Sequence, residues 1–369
     1  MTSLPDRADR KRRAGERSLG RWLLLIAACL STSPVFAGSP KILLYHHVSD
    51  STPSATSVTP TVFESHLELL ARERFEVVPL AQIVDALLNG EAMDSRWVAI
   101  TFDDAYGSVL SEAAPRLESR GWPYTVFVST DYIDGDYGLY LSWEQLRDLE
   151  RRGATLANHT LSHEHLVRRR PGETDTARLE RLAEEVNGAQ VRLEAELEDP
   201  LRLLAYPYGE FDAEVVHLMQ SLGFIAFGQQ SGPVGRTTSP YAIPRFPLAT
   251  GFDSVSSLHE KLRTEHLPLA APPIPAEVLS ADAEAPRLTL NLDEAGIREG
   301  ALTCFIGGQP NTRVSWIAPD RVEVQGERPL NPGRSKYTCT APHPSKPRAY
   351  FWHTQLYIKP RPDGSWYEG

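Results

Sequence analysis

Three short segments of the chain concentrate residues that can do chemistry. Thr101-Phe102-Asp103-Asp104 follows the apolar run 98–100. Adjacent carboxylates at the end of a strand raise each other's pKa, and a cation relieves that cost. Taken alone, the pair reads equally well as two acids in a solvated loop or as a cap for the next helix. His159-Thr-Leu-Ser-His163 follows a second buried run, 155–157. Histidines four apart can face one ion if the segment makes a helical turn, and imidazole with carboxylate suits zinc and its first-row neighbours. Matches to so short a pattern also arise by chance, and the nearby His165 reads as an ordinary core or surface histidine. The third segment, Arg202-Leu-Leu-Ala-Tyr-Pro-Tyr-Gly209, is a strand leaving through a Pro-Tyr-Gly turn and carries no weight alone. Together the three are strand ends bearing polar or turn residues, which is how αβ barrels assemble a site.

The elements that must position these residues follow from periodicity. The runs 41–45, 98–102, 124–129, 154–157, 201–206 and 223–227 read as buried strands. Between them, 62–73, 80–89, 109–120, 143–152, 176–196 and 213–222 carry apolar residues at helical spacing. Such alternation implies parallel strands covered by helices, as a barrel or an open sheet. From Leu267 the texture changes to LPLAAPPIPAEVLSADAEAP, whose Pro and Ala content reads as a linker. Beyond it come the short strand-like runs 287–292, 302–306, 313–317, 321–324, 337–340 and 349–358, separated by Gly, Pro and Asn turns. No helix-length pattern interrupts them, and an all-β sandwich is expected. The division expected is therefore a leader at 1–37, an α/β domain at 38–266, a Pro/Ala-rich linker at 267–282 and a small β-sandwich at 283–369.

With 41% hydrophobic and 23% charged residues among 369, the composition is that of an ordinary globular protein. The first 37 residues differ. Lys11, Arg12, Arg13, Arg17 and Arg21 precede a short apolar run ending at Leu30, and Ser31 to Ala37 ends in small residues. That is the layout of a secretory signal, too short for the ~20 residues that span a bilayer. It implies export to the periplasm or cell envelope. Ile26-Ala27-Ala28-Cys29 also resembles a lipobox, which would make Cys29 a lipid anchor, against cleavage after Ala37. Removing the seven basic and three acidic residues of this segment takes the net charge from −10 to about −14. Such a surface repels nucleic acid and tolerates a neutral or amine-bearing glycan. Cys304 and Cys339 are the cysteines left after export. In an oxidising compartment they read as a disulfide, the alternative being two buried thiols.

TFDD, H-T-x-S-H and the strand ending in Pro-Tyr-Gly, in this order with tens of residues between, resemble the leading motifs of NodB-homology polysaccharide deacetylases (carbohydrate esterase family 4). Leu44-Tyr-His-His-Val48 and Leu141-Ser-Trp-Glu-Gln145 are similar to further family elements. The likeness covers about residues 40–265 and is nearest to the bacterial poly-N-acetylglucosamine deacetylase branch. It implies a distorted (β/α) barrel. It also implies a divalent metal, zinc first with cobalt or nickel as alternatives, on Asp104, His159 and His163. Asp103 would then be the base for an attacking water and the backbone N–H of Tyr208 an oxyanion donor. The substrate implied is an N-acetylated glycan polymer and the product acetate. His46, His47, Trp143 and Tyr206 are candidates for touching the sugar.

The chain departs from the family in places. Ala205-Tyr206-Pro207-Tyr208-Gly209 lacks the arginine that many relatives carry in the third motif. Arg245, in Ile243-Pro-Arg-Phe-Pro247, resembles the arginine of the fourth motif and could hold Asp103 instead, or make a surface salt bridge. The late histidine of the family has no clean counterpart, with His259 and His266 as candidates that read more readily as helix-surface residues. Ala105 stands where glycine is common. A non-catalytic glycan-binding or scaffolding protein on a degenerate deacetylase fold is the competing expectation. In the C-terminal region, Trp316, Tyr350, Trp352, Tyr357 and Trp366 could make a sugar-stacking platform, but aromatics at strand alternation are more often core.

Overall fold

The computed structural model describes residues 38–273, 276–293 and 297–368, so the secretory reading of 1–37 and the Cys29 anchor lie outside the described residues. The first strands are β1 (Lys41–Tyr45), β2 (His47–Val48), β3 (Ser57–Val58), β4 (Glu76–Val77) and β5 (Trp97–Phe102). They are followed by β6 (Thr125–Val128), β7 (Thr155–Asn158), β8 (Leu201–Ala205), β9 (Ile225–Phe227) and β10 (Phe246–Pro247). The helices between them are α1 (Pro60–Arg72), α2 (Leu80–Asn89), α3 (Ala114–Glu118), α4 (Thr130–Asp134), α5 (Trp143–Arg151), α6 (Asp175–Glu196), α7 (Ala213–Leu222) and α8 (Val255–Leu262).

One parallel sheet runs in the order β10-β1-β5-β6-β7-β8-β9, with β4 also beside β5. Ile243 bridges Phe227 of β9, while Phe246 and Pro247 pair with Leu43 and Leu44 of β1. The short segment 243–247 thus meets both edges and draws the sheet into the expected barrel. Its strands are buried on both faces, so Ile42, Leu43, Leu44, Ile100, Phe102, Val126, Phe127 and Val128 show continuous apolar runs instead of alternation. Local chemistry sets the helix ends. The Thr59 side chain accepts from the Val62 amide with Pro60 in the first turn, and Ser142 with Gln145 forms a capping box. α2 and α7 stop at Gly90 and Gly223, both left-handed. The helix expected over 109–120 opens into a wide turn at Val109–Ala113 before α3. Pro115 has no amide proton to close the preceding turn, which is a physical reason for the widening.

The C-terminal part adds β11 (Thr264–His266), β12 (Glu277–Val278), β13 (Arg287–Asn291) and β14 (Thr303–Ile306). β15 (Thr312–Ala318), β16 (Arg321–Gly326), β17 (Gly333–Pro342) and β18 (Tyr350–Lys359) complete it. One sheet runs β11-β18-β17-β14 with β12 on β18, and a second runs β13-β16-β15. Leu288, Leu290, Val322 and Val324 of the second sheet share one core with Ile306, Tyr337, Cys339 and Tyr357 of the first. Cys304 and Cys339 are register partners of β14 and β17 and are joined as a disulfide. The Pro/Ala-rich stretch does not hang free. Leu267, Leu269 and Leu279 are buried and β12 runs parallel to β18, because the stretch is apolar enough to lie along a sheet edge where proline is tolerated. On its other side β18 buries Leu356 and Ile358 against Leu204, Val215 and Phe224 of the barrel. Among the described residues no helix is long and apolar enough to cross a membrane.

Candidate active site

Asp103 and Asp104 leave the carboxyl end of β5. The Asp103 amide donates to the Tyr45 carbonyl of β1 at 3.0 Å, and its carboxylate is fully buried. Arg245, also fully buried, donates to the two Asp103 oxygens at 2.7 and 2.8 Å, a bidentate pair. Its Nε donates to the Gly228 carbonyl at 3.0 Å, and the guanidinium lies 5.3 Å from the Phe127 ring centroid. Of the two readings of Arg245, the structure therefore has the pair with Asp103. Burial alone would push the Asp103 carboxyl up, but Arg245 and then His159 hold it below the usual carboxylate range.

Asp104 and Ala105 both adopt left-handed backbone, with φ 72° and 53°. For residues with a Cβ this costs on the order of 1–3 kcal/mol each, so surrounding contacts must impose it. The consequence is that Asp104 turns toward His159 and His163. Its Oδ1 lies 3.3 Å from His159 Nε2 and 3.2 Å from His163 Nε2. The two histidines converge through a loop and not through the helical turn expected, with Thr160 at φ 69° and His163 at φ 57°. The Thr160 hydroxyl accepts from the His163 amide at 3.1 Å and holds that loop.

This donor set fits a divalent cation. His159 Nδ1 is 2.8 Å from the Ala205 carbonyl and must donate there, which leaves the lone pair of Nε2 facing Asp104. Buried Asp104 Oδ1 and His159 Nε2 stand 3.3 Å apart, and against the cost of burial the neighbouring Asp103 and Asp104 carboxylates favour positive charge on His159, so the pair suits a shared cation, a proton or a metal ion. About 3.3 Å is the edge of a tetrahedron whose corners lie ~2.0–2.1 Å from a central zinc. The ligand atoms of Asp104, His159 and His163 all fall within 4.8 Å of one another. Burial and the neighbouring His159 push His163 down to about 4, which keeps its ring neutral and available as a ligand.

The other residues picked from the sequence divide. Tyr208 sits at φ 59° in the turn after β8, its ring 4.6 Å from that of His163. His46 is half-buried and directly follows β1. His47 is buried and stacks on Tyr106 at 3.6 Å. Tyr206 is fully buried with its hydroxyl on the Tyr241 carbonyl, so it cannot touch a substrate. Trp143 donates to Asp134 and carries Arg192 over its ring at 4.6 Å, a surface cluster outside the metal-type group. His259 lies on α8, 3.8 Å from Glu73. His266 lies on β11 and not on a helix, and shares a cavity with His353 and Trp352 that contains none of the Asp104 group. Of the C-terminal aromatics, Trp352 donates to the Ser231 carbonyl and packs on Phe246, and Tyr357 is core.

Sequence reasoning missed a row of tyrosines beside the group. Tyr106, Tyr140 and Tyr132 stack in sequence at 5.0 and 4.8 Å, and Tyr132 lies 6.3 Å from His163. Burial first and then Asp104 push the Tyr106 hydroxyl up. Three tyrosines within residues 132–140, between two motifs, were the available signal.

A parallel αβ barrel whose strand ends gather a carboxylate–arginine pair and an Asp-His-His group defines the class of the molecule. Residues 90–227 match the family model described as polysaccharide deacetylase. YxkH of Bacillus subtilis, which carries the same family name, is 22% identical over 211 residues, covering 57% of this chain and 71% of its own. The poly-beta-1,6-N-acetyl-D-glucosamine N-deacetylase of Escherichia coli K12 is 25% identical over 244 residues, covering 56% of this chain and 36% of its own. The deacetylase PplD of Streptococcus pyogenes, solved with acetate, has the same fold, with a TM-score of 0.54 at 20% identity over 61% of this chain and 98% of its own. Over residues 90–227 the chain is similar to the polysaccharide deacetylases.

Proposed function

We propose that the protein hydrolyses N-acetyl groups of an N-acetylhexosamine polymer, releasing acetate and a glycan amine. The observation that carries this is the buried Asp103–Arg245 pair set directly beside Asp104, His159 and His163. A divalent cation held by Asp104, His159 and His163, zinc first with cobalt and nickel as alternatives, would act as a Lewis acid toward water and the acetamide carbonyl. Asp103 takes the proton of the attacking water, and Arg245 keeps that carboxylate charged and fixed in orientation. The backbone N–H of Tyr208 donates to the developing oxyanion. His46 follows Tyr45, the register partner of Phe102 beside Asp103, and is placed better than His259 on α8 or His266 on β11 to return a proton to the leaving amine. The tyrosine row offers apolar faces to a sugar ring.

Arg245 meets the need left by the missing third-motif arginine, which supports catalysis over a scaffold reading. The layout of residues 1–37 supports export to the periplasm or envelope, with Cys29 as the anchor if the lipobox is used. The test is acetate release from N-acetylglucosamine oligomers with and without a chelator. Release abolished by chelator and restored by zinc, cobalt or nickel is expected. Binding of oligomers without any acetate release in each metal would overturn it.

A further inference from the structure

The turn after β8 must be held from outside. Tyr208 and Gly209 are consecutive left-handed residues, at φ 59° and 70°. Glycine takes this conformation freely, but tyrosine pays roughly 1–3 kcal/mol for it. The loop after β9 crowds this turn, since a Cβ on Gly209 would lie 2.5 Å from the Cβ of Gln229. The ring of Tyr208 lies flat on that of His165, with centroids 3.6 Å apart and planes 5° apart. His165 Nδ1 is 2.7 Å from one oxygen of Glu210, the residue that ends the turn and is fully buried.

The remaining contacts come from the far end of the chain. Tyr367 donates to the other Glu210 oxygen at 2.5 Å, and Arg334 Nη1 lies 3.7 Å from that same oxygen. The same Nη1 donates to the Tyr208 carbonyl at 3.1 Å, and the guanidinium lies 5.6 Å from the Tyr208 ring centroid. Lys336, two residues along β17 and so on the same face, donates to the Gln229 carbonyl at 2.8 Å. A carboxylate withdrawn from water is costly unless it is paired and hydrogen-bonded. Without Arg334 and Tyr367, Glu210 would keep His165 alone, and the Tyr208 carbonyl would lose its donor.

We propose that the C-terminal β region is a working part of the catalytic centre, with Arg334 and Tyr367 as positioning residues that clamp the Tyr208–Glu210 turn. The effect on catalysis rests on the assignment of Tyr208 as oxyanion donor; the clamp itself does not. Arg334→Ala and Tyr367→Phe should each lower kcat on N-acetylglucosamine oligomers about ten- to a hundredfold, less than the 10²–10³ of deleting an oxyanion donor. KM and bound metal should stay at wild-type values, the melting temperature should fall modestly because Glu210 loses a partner, and Arg334→Lys should recover part of kcat. Hydrogen–deuterium exchange over residues 206–211 should quicken in both variants, whatever the substrate. Arg313→Ala, on β15, serves as a control that changes neither. Wild-type kcat in the Arg334→Ala/Tyr367→Phe double variant, or a rise in KM alone, would overturn the proposal. Exchange as slow as wild type would do the same. If Arg334→Ala does not fold, Tyr367→Phe removes a single hydroxyl and decides the matter. A wild-type protein that releases no acetate, with exchange still quickened in the variants, would sink the deacetylase reading and leave the clamp standing.

Discussion

At the mouth of the barrel, Asp103, Asp104, His159 and Arg245 are withdrawn from water. In the C-terminal sheets the interior is Leu288, Leu290, Val322, Val324 and Tyr337 with the Cys304–Cys339 bridge, and ion pairs such as Arg287–Glu323 stay at the surface. Burying charge costs stability unless each group finds its partner, so the barrel has accepted strain and desolvation at one place. The C-terminal sheets bury fewer charged groups, among them Glu265, His353 and Lys359, and are stapled by the bridge. The difference separates a region that buries its reactive charge from one whose interior is mostly apolar, and each prediction below presses on that line.

The largest effect is expected at the donor set. His159→Ala and His163→Ala should abolish both bound metal and acetate release while circular dichroism and melting remain close to wild type. An exchangeable ion at the barrel mouth is not what builds cores as extensive as those around Leu43 and Leu204. Stoichiometric metal retained by the double alanine variant, measured by elemental analysis, would end the ligand assignment.

Next come the two halves of the buried pair. Asp103→Asn should keep metal but lower kcat by ~10²–10⁴, the usual share of a general base. Arg245→Ala should destabilise by ~3–5 kcal/mol, because it leaves the Asp103 carboxylate buried and unpaired. Arg287→Ala breaks an exposed pair and should cost ~0–1 kcal/mol. Equal costs for the two arginines in urea titrations would erase the contrast between the regions.

That contrast also governs what could be read from the sequence. Strands with both faces buried appear as unbroken apolar runs, so the barrel strands from 41–45 to 223–227 were legible, and so were the rare acids and histidines at their ends. The roles of neighbours were not, because they depend on contacts across long separations. Arg245 reaches Asp103 over 142 residues and Arg334 reaches Tyr208 over 126, distances at which local pattern carries no information. Tyr206 was misread for the opposite reason. It sits inside a motif, yet a strand's alternation turns it into the core, where it stacks on Phe211. The 267–282 stretch misled because Pro and Ala were taken as signs of a free spacer, although Leu267, Leu269 and Leu279 mark a face that packs.

A middle-sized effect is expected from the disulfide. Its loop spans a sequence separation of 35, and closing it should stabilise by ~3–4 kcal/mol in the chain-entropy model. The barrel has no cysteine between residues 38 and 266, which by itself would leave catalysis indifferent to reductant. However, β17 carries both Cys339 and Arg334. Reduction, or Cys304→Ser with Cys339→Ser, should therefore lower the melting temperature of the C-terminal sheets first and lower kcat on short oligomers with it. Unaltered kcat at temperatures where those sheets have loosened would restore a clean division between the regions.

The smallest effect should come from Ala105→Gly. Ala105 is fully buried, follows Asp104, the proposed metal ligand, and holds φ 53° in a region that glycine occupies without strain. Substitution would relieve roughly 1 kcal/mol of native strain. It would also free the unfolded chain by ~0.4–1 kcal/mol and remove a buried methyl worth ~0.8 kcal/mol. The terms nearly cancel, so stability should move by less than ~1 kcal/mol in either direction. The geometry of Asp104 should survive because it is fixed from outside the residue. The Ala105 carbonyl accepts from the Leu141 amide at 2.9 Å, and Asp103 is pinned to Tyr45 and Arg245. Hence kcat and metal affinity should each stay within about twofold of wild type, below the scale of a lost ligand contact. A tenfold loss in either would mean that the Ala105 methyl, and not the surrounding barrel, holds Asp104 toward the histidines, and the strand end would then be set by local sequence after all.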